Sequence, residues 1–125
     1  MAKTEMYKGI VPYLFYDDAE VAMQWYTRVF GFEEIGRWKD DAGKIQNAEM
    51  RVGNTELWLD GSGRRKDNDE RPTWIGVWVD DVDEVYARVQ AAGIKCDAPI
   101  NRDFGIRMLS VPDEMGYLWG FIRRI

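Results

Sequence analysis

Tyr16-Asp17-Asp18-Ala19-Glu20-Val21-Ala22 returns in kind as Val79-Asp80-Asp81-Val82-Asp83-Glu84-Val85, about half a chain further on in a sequence of 125 residues. Each stretch follows a short apolar run, opens on an Asp pair and continues with helical periodicity to a glycine, Gly31 or Gly93. An Asp side chain accepts hydrogen bonds from the unpaired N–H groups of a helix start, and its charge suits the positive end of the helix dipole. Glycine readily takes the left-handed backbone that closes a helix. A strand, a capped helix and a terminator are thus written twice, which predicts a pseudo-twofold molecule with its site between like halves.

Working outward, Gly9 to Tyr16 reads as a strand, because Val11, Tyr13 and Phe15 alternate with Pro12, Leu14 and Tyr16. Ala19, Ala22, Tyr26, Val29 and Phe30 give the first helix one apolar face. Glu33 to Lys39 and Lys44 to Val52 form a hairpin about Asp40-Asp41-Ala42-Gly43, and Gly53-Asn54 turns the chain into a strand from Thr55 to Asp60. The polar stretch from Gly61 to Pro72 reads as a linker. A strand from Thr73 to Val79 follows, then a helix from Val82 to Ala92 burying Val82, Val85, Val89 and Ala92. Strands from Ile94 to Ile100, Ile106 to Val111 and Tyr117 to Arg123 complete the chain. The expectation is an α+β fold of two βαβββ modules, about 7–60 and 73–125, within one domain at 1–125. The two modules are expected to form an incomplete β-barrel around a cleft.

Composition narrows the function. A net charge of −5 argues against a nucleic-acid surface, and the basic run Arg64-Arg65-Lys66 is neutralised by Asp67, Asp69 and Glu70. No segment has the length and apolarity of a signal or a membrane span, and the single cysteine, Cys96, favours a reducing compartment, so the expected location is cytoplasmic. The chain has no histidine, which removes Ser-His and Cys-His nucleophiles and the commonest transition-metal ligand. It has six tryptophans, residues that fill cores, interfaces and the stacking walls of ligand pockets.

The run Tyr13-Leu14-Phe15-Tyr16-Asp17-Asp18, with Trp25-Tyr26 and Phe30-Gly31-Phe32, resembles the opening of the vicinal oxygen chelate superfamily. That superfamily holds glyoxalase I, extradiol dioxygenases, fosfomycin-modifying enzymes and bleomycin resistance proteins. Phe104-Gly105 and Asp113-x-x-Gly116-Tyr117-Leu118-Trp119 extend the resemblance through the second half, with Glu114 where the family usually has proline. The resemblance implies four metal-ligand positions, which fall at Val11, Glu56, Trp74 and Gly120. Only Glu56 could bind a cation, whereas zinc, iron and hard divalent ions want several donors. The expectation is therefore no metal and no cofactor.

Residues two apart share a face of a strand. Around the vacated positions this groups Tyr13 and Phe15; Glu56, Trp58 and Asp60; Trp74, Gly76, Trp78 and Asp80; and Leu118, Gly120 and Ile122. The alternate faces carry Leu14, Leu57, Leu59, Ile75, Val77, Val79, Trp119 and Phe121, suited to packing under helices. One face is thus aromatic and acidic, with Gly76 and Gly120 leaving room above it. It reads as a stacking pocket for a planar aromatic small molecule, the carboxylates suiting one with an amine or other cation. The expected ligand-binding residues are Tyr13, Phe15, Glu56, Trp58, Trp74, Trp78 and Gly120. The alternative is that the rings fill a cavity or bury themselves in a dimer interface. Glu56 is the one candidate general base, a salt bridge to Arg51 or Arg107 being the alternative. Cys96 has no activating neighbour, and Met50 and Met108 are cavity fillers or core.

The expected function is metal-independent sequestration of such a molecule, as in the bleomycin-resistance branch, by a homodimer without nucleic-acid or membrane partners. The alternatives are a metal-free isomerase, lyase or hydrolase using Glu56, and a structural or regulatory dimer.

Overall fold

The computed structural model describes Met6, residues 8–63 and residues 74–125. Most of the expected linker lies outside the described residues, as do Tyr7 and Thr73 at the module starts. The chain divides into two compact units, one of Met1–Thr27 with Gly31–Asp67 and the other of Arg28–Phe30 with Asn68–Ile125.

The first unit contains β1 (Tyr13–Phe15), most of α1 (Ala19–Phe30), β2 (Glu33–Lys39), β3 (Ile45–Val52) and β4 (Thr55–Asp60). Its sheet has the order β1-β4-β3-β2, with β1 parallel to β4 and the other pairs antiparallel. The second unit contains β5 (Trp74–Trp78), α2 (Val82–Ala91), β6 (Ile100–Arg102), β7 (Ile106–Pro112) and β8 (Leu118–Arg124). Its order, β5-β8-β7-β6, repeats the first, again with the leading strand parallel to the last. Each module is therefore βαβββ, and each sheet is open rather than closed into a barrel. No helix among the described residues is long and apolar enough to cross a membrane.

The duplicated Asp pairs cap their helices. Asp18 accepts from the Val21 N–H at 3.1 Å, and Asp81 from those of Asp83 and Glu84 at 3.0 and 3.1 Å. Gly31, at φ 78°, ends α1 by donating to the Thr27 carbonyl at 3.1 Å. Two strands are shorter than expected, and proline accounts for both. Pairing of β1 begins at Pro12, whose carbonyl accepts from the Trp58 N–H at 2.9 Å but which has no N–H to extend the ladder, leaving Val11 outside it; no strand spans 94–99, where Pro99 likewise offers no N–H. Only Ile100–Arg102 pairs with β7.

Burial follows the alternation. In the first unit Ala48, Met50, Leu57 and Leu59 pack beneath Ala19, Ala22, Met23 and Tyr26, all buried. The hydroxyls of Tyr16 and Tyr26 satisfy each other at 2.7 Å within that core. Met50 is therefore core and not a cavity filler. In the second unit Leu109, Val111, Trp119 and Phe121 are buried with Val82 and Val89 of α2. The last turn of α1 belongs to this unit: Phe30 meets Trp119 and Phe121 edge-on at 5.5 and 4.9 Å, and Arg28 donates to the Ala92 carbonyl at 2.9 Å.

Buried Asp113 holds the turn into β8, where Glu114 replaces the family's usual proline. Its carboxylate accepts from the N–H groups of Met115 and Tyr117 and from Trp119 Nε1, each at 2.9 Å. On the surface, Arg107 of β7 donates to Asp83 of α2 at 3.0 and 2.7 Å and to Asn101 at 2.9 Å. The Arg107 hydrogen bonds, with some help from its charge, hold the Asp83 carboxyl below its ordinary range.

Trp119→Ala should lower stability by about 3–5 kcal/mol, through lost burial and a donor withdrawn from Asp113. Denaturant unfolding would measure it. Asp83 has a depressed pKa, so its pairing favours the folded state above the ordinary carboxylate range and is lost as pH falls through the folded value. An NMR titration should find the Asp83 midpoint moved upward, to an ordinary value, in Arg107→Ala.

Candidate functional site

The side of each sheet that the helices leave uncovered carries the expected site residues. On the first sheet the register sets Tyr13 beside Trp58, Glu49 beside Trp58 and Arg51 beside Glu56. Tyr13 contacts Phe15 with ring centres 5.7 Å apart and Trp58 edge-on at 6.1 Å. Two hydrogen bonds fix these rings: the Tyr13 hydroxyl donates to Asn47 Oδ1, and Trp58 Nε1 donates to Glu56 Oε1 at 2.9 Å. Glu56 thus orients an indole. Arg107 is committed to Asp83 and is not the salt-bridge partner of Glu56.

Asp60 departs from the expected pattern. It is almost wholly buried, and its carboxylate accepts from the Ser62 N–H at 2.8 Å and the Ser62 hydroxyl at 2.6 Å. It organises the chain leaving β4, with the Tyr13 hydroxyl also within 3.4 Å.

On the second sheet Trp74, Gly76 and Trp78 lie along β5, in register with Leu118, Gly120 and Ile122 of β8. The room expected above the glycines is occupied by the Trp74 indole. A Cβ built on Gly120 would stand 2.6 Å from Trp74 Nε1, and one on Gly76 would stand 2.8 Å from Cζ3. The ring therefore lies across the glycine pair and buries Gly120, while Trp74 itself remains 46% exposed. Trp78, at 58%, is more exposed still, with the Arg124 guanidinium 4.8 Å from its ring centre.

The structure thus groups Tyr13, Phe15, Glu56 and Trp58 on one sheet, and Trp74, Trp78 and Gly120 on the other. Asn47 and Arg124 were not foreseen. Arg124 was within reach of the period-two rule, since it lies two residues beyond Ile122 on the same face. Asn47 needed the β3–β4 register.

The family's metal does not fit these residues. Gly120 has no side chain and lies beneath Trp74; Val11 carries no donor atom, and an indole N–H donates but does not ligate. Among the described residues no group of three or more Cys, Asp or Glu side chains is arranged to hold an ion. Among the described residues, cavities of about 400 and 260 Å³ sit at the helix starts, beside Asp17, Asp18 and Glu20, and beside Asp80, Asp81 and Glu84. None of the expected site residues lines either one.

This double βαβββ architecture places the protein in a class, and sequence comparison agrees: residues 9–121 match the glyoxalase/bleomycin resistance protein/dioxygenase superfamily, to which the chain belongs. Among solved structures it is similar to TioX from Micromonospora sp. ML1, at 30% identity and a TM-score of 0.80, over 95% of this chain and all of that one. A bleomycin-binding protein complexed with bleomycin shares the fold at 19% identity and a TM-score of 0.75, over 95% of this chain and all of that one. So does lactoylglutathione lyase from Agrobacterium tumefaciens, at 22% identity and a TM-score of 0.72, over 92% of each chain. No curated protein matches the sequence significantly.

Cys96 is half-buried, and burial, with a smaller contribution from the Asp97 charge, pushes its thiol above the ordinary range. The neutral thiol therefore predominates at pH 7, and the thiolate is the reactive form. Alkylation by iodoacetamide, followed by mass spectrometry, should be slow at neutral pH and accelerate only in alkaline buffer.

Proposed function

We propose that the protein binds and sequesters a small planar aromatic molecule without a metal, as members of the bleomycin-resistance branch do. The observation that carries this reading is the exposure of large rings where the helices do not cover the sheets: Tyr13 at 40%, Trp58 at 37%, Trp74 and Trp78. Proteins rarely leave so much aromatic surface to water unless something stacks on it or covers it. Their orientation is set in advance by Asn47, Glu56 and the glycine pair, which reduces the ordering cost of binding. Tyr13, Phe15, Trp58, Trp74 and Trp78 supply the stacking surfaces, Gly120 seats one of them, and Glu56 favours a ligand with a cationic or donor group.

The bleomycin complex of a protein with this fold supports the reading. Catalysis by Glu56 has less support, because its carboxylate accepts from the Trp58 indole and its cross-strand neighbour is the cation Arg51. We place the protein in the cytoplasm, as a homodimer whose assembly helps shape the pocket around these rings.

Ethidium, a planar cation, should quench the intrinsic tryptophan fluorescence saturably and be recovered unchanged. Trp74→Ala should weaken it about ten- to a hundredfold, the loss of about 1–3 kcal/mol of stacking. Turnover of a bound compound, or an unchanged affinity in Trp74→Ala, would sink the reading. Light scattering at micromolar concentration should give about twice the chain mass of 14.6 kDa; a monomer would remove the homodimer.

A further inference from the structure

Gly76 and Gly120 are cross-strand partners at the middle of β5 and β8, both in extended backbone. Neither is among the glycines with positive φ, so their conformation would accept an alanine. Glycine in a strand interior is otherwise unfavourable, since it adds chain entropy and packs nothing. What the two positions supply is clearance. Gly76 would bring its Cβ to 2.8 Å from Cζ3 and 3.1 Å from Cη2 of Trp74, and Gly120 would bring its own to 2.6 Å from Nε1. The atoms that meet both run along one edge of the indole, from its pyrrole nitrogen to its benzo carbons, so that edge rests on bare backbone.

The neighbouring tryptophan is differently placed, because the Arg124 guanidinium already stands over the Trp78 ring. Trp74 is the indole of this sheet whose position depends on the absence of side chains beneath it.

We infer that Gly76 and Gly120 are positioning residues for ligand binding. They give the Trp74 indole the clearance to settle against the sheet, and so set where its stacking surface is presented to a ligand's ring. A methyl group at either position displaces the indole and that surface with it. This rests on the stacking function proposed above for Trp74, and deepens it by setting how the ligand's ring is presented.

The test combines Gly120→Ala, the milder Gly76→Ala, Trp74→Ala and the Trp74→Ala/Gly120→Ala double variant. In ligand-free wild type, the Hα resonances of Gly76 and Gly120 should be displaced by the indole ring current, and should return to ordinary positions in Trp74→Ala. Gly120→Ala should unfold at lower temperature than wild type, and adding Trp74→Ala should relieve that loss, since the clash is with the indole. Ethidium affinity should fall about tenfold or more in Gly120→Ala, and the double variant should bind no worse than Trp74→Ala, because both remove one platform. Should Gly120→Ala fail to fold, Gly76→Ala carries the same comparison.

Unshifted glycine Hα signals would overturn the geometry. Ethidium binding that is lost in Trp74→Ala but unchanged in both glycine variants would overturn the positioning role while leaving the stacking function intact. Displaced glycine signals in a protein that does not bind ethidium would overturn both, leaving the glycine pair a packing device.

Discussion

Leu57 and Leu59 on β4, and Trp119 and Phe121 on β8, are sealed against the interior, and that commitment orients every other residue on their strands. Because a strand alternates strictly, burying these four side chains turns Glu56, Trp58, Leu118 and Gly120 to the opposite face. A slip of one residue in the β4 ladder would put Trp58 in the core and Leu57 in water, and one in the β8 ladder would bury Leu118 and expose Trp119. The aromatic surfaces thus depend on aliphatic and aromatic residues that never touch a ligand. The first and last strands of each module follow suit, since β1 and β5 align in parallel on β4 and β8.

A second level of order lies within the exposed faces. A tryptophan on a sheet is ordinarily free to swing about two torsions. Here Trp58 is tethered through its N–H to Glu56, and Trp74 is laid on two glycines. The Tyr13 hydroxyl is anchored on Asn47. One device is a hydrogen bond to a neighbour two residues away, another is missing bulk, and the third is a cross-strand amide. All three reduce rotamer freedom without burying the ring, so the surface is shaped yet accessible.

Much of this was legible in the chain. The paired motifs at Asp17-Asp18 and Asp80-Asp81 announced the repeat, and the period-two pattern sorted open from covered faces, because both signals are local. Asp60 escaped that rule because its carboxylate turns back to serve Ser62, a demand of the loop and not of the strand. Residues 94–100 carry an apolar, strand-like pattern, yet only Ile100 enters a strand, since Pro99 has no N–H to give a ladder. At Gly120 a missing side chain reads as space in the sequence, whereas a neighbour's ring fills it. Which rings touch which is a matter of register and rotamer, and neither is written in spacing alone.

The parallel pairs also order events in time. Tyr13 finds its partner Trp58, and Trp74 its partner Leu118, about 45 residues away in sequence, whereas β3–β4 and β7–β8 are joined by short turns. Closing so long a loop is slow relative to forming a hairpin, and only an existing hairpin edge gives β1 or β5 something to dock on. The leading strand of each module therefore joins its sheet last. Trp74 and Trp78 ride on β5, so their emission during refolding records that final docking rather than the early collapse of the chain.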